Sequence, residues 1–367
     1  MTNRMQQTMQ AAMRLIGQGD LHAATRALQQ GLQASETTGA HSGETPRRDA
    51  PADLEAQYRV VPDEPAPAAR GPVPPRERNG GTFTQAHFTC GLGRLSYKLF
   101  VPAGLAADAQ PPLLLMLHGC TQAPDDFARG TRMNALAQEA GYVVAYPAQG
   151  ERRNGNRCWN WFRPQDQQRA AGEAALLAAL AQHVVRTEGL DARRVYAAGL
   201  SAGGAMAAVL AHTHPDVFAA VGVHSGLPFR SAHDVPSAFA AMKSGGRGAA
   251  RGGAGTTRAI VFHGDRDATV NASNADAVFA QFCTAPGSDG DDPQFTVETG
   301  SAQGRAFTRR IHADRAGNVT AEQWILHGAG HAWSGGDAKG TYTDPAGPDA
   351  SAQMLRFFSA CATFALN

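Results

Sequence analysis

The run Val195-Tyr-Ala-Ala-Gly-Leu200 leads straight into a serine fenced by glycines, Gly199-Leu200-Ser201-Ala202-Gly203. Such small neighbours allow a tight strand-to-helix turn that presents the serine hydroxyl. The following helix, from Ala202, aims free N–H groups and the positive end of its dipole at the same point. A hydroxyl is a weak nucleophile at neutral pH, so it needs a base, and the base needs an orienting carboxylate. A chain with 41 glycines also produces G-x-S-x-G by chance, so the partners decide. After an elbow of this kind the acid and then the histidine are expected on loops that follow later strands. The chain supplies both: AIVFHGDRDATV carries Asp265 and Asp267, and WILHGAGHAWSGG carries His331. Asp267 is the expected acid, because Asp265 directly follows His263-Gly264 and suits that turn. Among 13 histidines His331 is the expected base, past the last strand between Gly330 and Ala332. His327 is expected to satisfy local hydrogen bonds, and His312 falls in a hairpin region. Attack on a carbonyl also needs two convergent N–H donors, for which the amides of Ala202 and of Cys120, in HGCTQ, are the candidates.

These residues must be carried by a sheet. TFTQAHFTC and RLSYKLFVP flank a Gly-Leu-Gly turn and read as a hairpin. PLLLMLHGC is a continuous apolar run suited to a strand buried on both faces. Strands at YVVAYP, RVYAAGL, AAVGVHS, RAIVFHG and AEQWILHG then alternate with helices near 127–140, 166–188, 202 onward, 235–242, 272–282 and 350–364. That alternation predicts a mostly parallel central sheet with helices on both faces. Lys243–Thr257, rich in glycine, reads as a flexible surface excursion. Met5, Met9, Ala12, Met13 and Ile16, then Leu21, Ala24, Leu28 and Leu32, fall at helical spacing and predict a small N-terminal helical hairpin over 1–34. It packs on itself or on the main body, or else docks on a partner or an apolar granule. Residues 35–80 hold eight prolines and few large apolar side chains, so a largely disordered linker is expected there, with the catalytic domain over 81–367.

The 33 basic and 32 acidic side chains leave a net charge of +1, which offers no footprint for nucleic acid. The longest apolar run, PPLLLML, is too short to cross a bilayer, which takes about 20 residues. The first residues lack an apolar signal core and a cleavage site, so the default location is cytoplasmic. None of the five cysteines has metal-ligand spacing. Neither a metal nor an organic cofactor is implied, because serine, histidine and aspartate supply nucleophile, base and charge stabilisation unaided.

Six motifs in order, LHGCTQ, CWNWF, GLSAGG, HSGLP, HGDRDATV and GHAWSGG, spread between residues 94 and 361, resemble the polyhydroxybutyrate depolymerase family of esterases. Feruloyl and acetylxylan esterases share that core. The resemblance implies an α/β-hydrolase fold, with Ser201 as nucleophile, Asp267 as acid, His331 as base, and the Cys120 and Ala202 amides as oxyanion hole. It implies an ester substrate: hydroxybutyrate oligomers or polymer, or feruloyl and acetyl esters. It places CWNWF beside the cleft with Trp159 as a wall for the acyl chain, although tryptophans in a loop also serve as core pegs. His118 and Trp333 are further substrate-contacting candidates, while His118 and His263, each before a glycine at a strand end, also suit the fastening of a loop. A Cys120–Cys158 bridge would join the two cleft loops, and Cys283 with Cys361 would tie two late helices, leaving Cys90 over. Secreted members of the family make an extracellular location the alternative. They usually carry a polymer-adsorbing domain after the catalytic one. This chain reaches Asn367 directly after its last helix, so soluble oligomers, amorphous polymer or small esters are the expected substrates.

Overall fold

Continuous apolar runs form the middle of the sheet. β4 (Leu113–Leu117), β5 (Val143–Pro147), β6 (Val195–Leu200) and β7 (Ala220–His224) are buried at every position, and β8 (Arg258–Gly264) at all but its first. The side chains alternate between two cores. Leu113, Leu115 and Leu117 face one, with Val195 and Val261, while Leu114 and Met116 face the other, with Tyr196 and Phe262. Each leucine fully buried in this way contributes about 1.5–3 kcal/mol. The first core is roofed by α3 (Gly172–Glu188), α4 (Ala202–Thr213), α5 (Val235–Ser244) and α6 (Ser273–Phe282). The second is roofed by α1 (Pro124–Thr131), α2 (Met133–Ala140) and α7 (Ala350–Thr363).

This computed structural model describes residues 58–60, 80–106, 108–248, 257–283 and 295–363. They fall within one compact unit, Ala56–Asn367. The N-terminal hairpin over 1–34, with its docking role, lies outside the described residues, as do most of the linker and much of the Gly-rich excursion. Within the expected linker, Tyr58–Val60 forms a strand, β1. Among the described residues no helix is long and apolar enough to cross a membrane.

The eleven-stranded sheet has the order β1-β9-β10-β11-β8-β7-β6-β4-β5-β3-β2, in which β11 (Val319–Leu326), β8, β7, β6, β4 and β5 run parallel. At one side the antiparallel hairpin of β2 (Thr82–Cys90) and β3 (Gly93–Val101) is added, as the sequence predicts. At the other, β9 (Phe295–Ala302) and β10 (Arg305–Ala313) extend the sheet antiparallel, and β1 pairs parallel to β9. The helix expected over 127–140 is two helices, because Arg132 takes a left-handed conformation (φ 55°) between them. The helix expected from Asp166 starts at Gly172, whose positive φ (71°) and close approach to the Gln165 carbonyl exclude a side chain.

Parallel order has one consequence for function. The loops after β4, β6, β8 and β11 leave the sheet at the same edge, the carboxyl ends of the strands, where ligands of open α/β sheets bind.

Candidate active site

Ser201 stands between the last residue of β6 and the first of α4, with φ 57° and ψ −117°, a backbone region disfavoured for any residue with a Cβ. Its amide donates to the His224 carbonyl at 2.9 Å, and its carbonyl accepts from Ala205 at 2.9 Å. The elbow closes only because its neighbours are small. A Cβ on Gly203 would land on the Leu117 carbonyl oxygen, and one on Gly204 would lie 2.9 Å from the Gly199 carbonyl oxygen.

The acid and base come from neighbouring strands. Asp267 lies in the turn after β8. Its Oδ1 accepts the amides of Thr269 (2.9 Å) and Val270 (2.8 Å), while Oδ2 faces His331 Nδ1 at 2.7 Å and His263 Nε2 at 3.4 Å. Its carboxyl group is 0% exposed, and His331, in the loop after β11, is 12% exposed. Burial pushes the Asp267 carboxyl up, but hydrogen bonds from His263, His331 and the Val270 amide outweigh it and hold the group well below the usual range. Asp267 is therefore an anion locked to His331 Nδ1, which leaves Nε2 to face a substrate. Among the described residues the Ser201 hydroxyl is not hydrogen-bonded to His331. Sheet order brings nucleophile and base to one edge, and such bonds commonly tighten only with substrate bound.

Asp265 behaves as the turn-stabilising residue expected of it, accepting from His327 Nδ1 (3.0 Å) and the Gly328 amide (2.7 Å). His327 also meets Thr308 Oγ1 at 2.9 Å, and His312, on β10, meets Thr320 Oγ1 at 2.6 Å. His263 fastens its loop through Nε2, 2.9 Å from the Val270 carbonyl.

The loop after β4 packs against the elbow: a Cβ on Gly119 would sit 3.7 Å from Ser201 Cβ. Its shape is held by Gly119 N–H to Gln122 Oε1 (2.9 Å), Thr121 N–H to the Asn156 carbonyl (2.7 Å) and the Cys120–Cys158 disulfide. Among the described residues neither the Cys120 nor the Ala202 amide has a backbone acceptor, so both are available to a developing oxyanion.

The three substrate-contacting candidates are corrected. Trp159 is 0% exposed, packed with its ring centroid 5.6 Å from that of His118, and Trp333 is 0% exposed with Nε1 donating to Ser351 Oγ (3.0 Å). Both are core pegs. His118 is buried too. Its Nε2 accepts the Gln149 amide (3.1 Å) and its Nδ1 donates to the Gly119 carbonyl (2.8 Å), so it fastens the loop, and burial lowers its pKa to about 4. Tyr342 is exposed and lies beside Thr341, whose carbonyl accepts from Gln122 of the Cys120 loop at 2.9 Å. The Cys283–Cys361 bridge is corrected as well: both are thiols, and they belong to cores on opposite faces of the sheet.

Sequence reasoning missed what holds CWNWF in place. Glu173, buried at the start of α3, accepts the Asn160 amide (2.7 Å), Asn160 Nδ2 (2.6 Å) and Gln149 Nε2 (2.5 Å). A lone glutamate at the head of a helix gave no signal of this.

A mostly parallel, doubly covered sheet with a serine elbow at the end of a central strand defines the α/β-hydrolase class. The acetyl xylan esterase from Aspergillus awamori superposes with a TM-score of 0.58 at 19% identity, over 76% of this chain and all of that one, which establishes the shared fold. Within that class the chain belongs to the esterase PHB depolymerase family, whose model matches residues 95–290. It is 32% identical over 272 residues to the poly(3-hydroxyalkanoate) depolymerase C of Paucimonas lemoignei, covering 71% of this chain but only 62% of that protein's length. It is 28% identical over 251 residues to the feruloyl esterase B of Thermothelomyces thermophilus, covering 64% of this chain and 82% of that one.

Proposed function

We propose that this chain is a serine esterase that hydrolyses carboxylic esters through an acyl-enzyme, with short hydroxyalkanoate oligomers or amorphous polymer as its substrates. The observation that carries the reading is the buried Asp267–His331 pair at 2.7 Å on the sheet edge that also holds the strained Ser201. His331 Nε2 takes the Ser201 proton as the hydroxyl attacks the ester carbonyl, and the Cys120 and Ala202 amides receive the negative charge. The imidazolium, stabilised by Asp267, then protonates the leaving alkoxide. Water repeats the sequence and releases the hydroxy acid. Family membership and the Paucimonas lemoignei depolymerase support the polyester substrate. Likeness to the feruloyl esterase B supports a second reading, cleavage of feruloyl or acetyl esters. The Cys120–Cys158 disulfide favours the extracellular location over the cytoplasmic one, since such bonds persist in oxidising compartments.

Turnover of a chromogenic short-acyl ester by Ser201→Ala, and labelling of the native chain by a fluorophosphonate, test the mechanism. Ser201→Ala should lose several orders of magnitude in kcat and all labelling, and near-native turnover by the variant rules the site out. Comparison of hydroxybutyrate trimers with methyl ferulate separates the two substrate readings.

A further inference from the structure

His224 takes no part in the steps above, yet it touches both halves of the site. It ends β7, the strand between the one that bears Ser201 and the one that leads to Asp267. Its carbonyl accepts the Ser201 amide at 2.9 Å. Its side chain is 0% exposed and lies between two rings, Phe262 at 5.8 Å (interplanar angle 13°) and Trp333 at 5.1 Å (24°). Its Nε2 accepts the amide of Ser334 at 3.1 Å, and its Nδ1 lies 3.2 Å from Ser225 Oγ. A ring nitrogen that accepts an amide proton is unprotonated, so Nδ1 carries the hydrogen and donates it to Ser225. Trp333 and Ser334 are the second and third residues after His331. Through its backbone His224 holds the nucleophile, and through its ring it holds the loop that carries the base.

We infer that His224 is a positioning residue that sets the distance between Ser201 and His331, through a backbone bond to the serine and a Nε2 acceptor for the Ser334 amide. The inference rests on the Ser201–Asp267–His331 reading. Its physical basis is that both halves converge on one rigid residue: the carbonyl holds the Ser201 amide, and the imidazole, kept neutral by burial and therefore an acceptor, holds the Ser334 amide. A displacement of about 1 Å between nucleophile and base costs on the order of a hundredfold in rate.

Two variants separate the parts of the interaction. His224→Phe keeps a flat ring between Phe262 and Trp333 but removes the acceptor. His224→Gln gives up the ring but places its amide oxygen where Nε2 stands. Turnover of a short-acyl chromogenic ester, normalised to the sites labelled by a fluorophosphonate burst, reads kcat per folded site. His224→Phe should lose about a hundredfold in kcat with KM within about threefold of the native value, and His224→Gln should recover at least a tenth of native kcat. A role in packing alone gives the reverse order, with Gln worse than Phe, and that order overturns the inference, as does native kcat in His224→Phe. Should His224→Phe fail to fold, His224→Asn replaces it. Its shorter side chain cannot reach the Ser334 amide, so it must show the same kcat loss, and native kcat there overturns the inference equally. Absence of labelling in the native chain refutes the esterase mechanism instead, so the two failures are distinct.

Discussion

Replacing Asp267 by Asn changes one atom, and the surroundings of that atom fix the outcome. Oδ1 accepts two backbone amides, Thr269 and Val270, so the oxygen of the new carboxamide must stay there. The NH2 group is thereby turned toward His331 Nδ1 at 2.7 Å and toward His263 Nε2, which shares its hydrogen with the Val270 carbonyl. An NH2 group can only donate to His331 Nδ1, which forces the imidazole hydrogen onto Nε2. In that tautomer Nε2 cannot take the Ser201 proton, and no negative charge remains to stabilise an imidazolium. The same substitution in other serine triads lowers kcat about 10⁴-fold, equivalent to about 5.4 kcal/mol of barrier at 1.36 kcal/mol per decade. The assay is steady-state hydrolysis of a p-nitrophenyl short-acyl ester at pH 7.5, with far-UV circular dichroism to confirm that the variant folds. A folded Asp267→Asn variant that keeps kcat within tenfold of native refutes the assignment of Asp267 as the group that orients the base.

Three further outcomes follow from the same packing. Reducing Cys120–Cys158, or replacing both by serine, frees the loop that carries one oxyanion donor and should lower kcat about a hundredfold. It should also lower stability by about 4 kcal/mol, from the 38-residue separation, read by urea unfolding with and without reductant. His118, with its pKa lowered by burial to about 4, stays neutral in the fold while the unfolded chain takes up its proton near pH 6.5. Stability is therefore constant above that pH and falls by about 3 kcal/mol between pH 6.5 and 4 on account of this residue. Asp267, held below the ordinary range, adds its own loss only as pH drops through and below about 3.9. Unfolding curves at several pH values should show the decline, and His118→Gln should flatten its upper part. Trp159→Ala should cost about 3–5 kcal/mol of stability through the cavity it leaves while KM for short esters stays within about twofold, as calorimetry and kinetics will read; a large KM change with native stability contradicts its burial.

Much of this was legible in the chain because the decisive signals are local. Short apolar runs such as LLLML, each followed by a helical stretch, specify parallel order, and a serine between glycines at the end of such a run specifies the elbow. Asp267 and Asp265 could be told apart because only one sits tight against the turn glycine. What the sequence hid depends on packing between distant segments. Trp159 and Trp333 look like binding surfaces in a linear reading, but His118 and His224 cover them. Cys283 and Cys361 look like a pair until the sheet is seen between them. β9 and β10 were legible only as a hairpin region around His312, without bounds, because their side chains are half-covered on both faces, which blurs the alternation that marks a strand. His224 opens the HSGLP motif, but nothing local marks its role, which is to connect residues 201 and 334.

The backbone of Ser201 has a further meaning. Its angles, φ 57° and ψ −117°, suit glycine and disfavour every residue with a Cβ, a penalty on the order of 1–3 kcal/mol. Ser201→Gly should therefore melt at a higher temperature than the native chain while turning over nothing. Reactivity and durability pull against each other at this one residue, and the fold has settled for the less durable option.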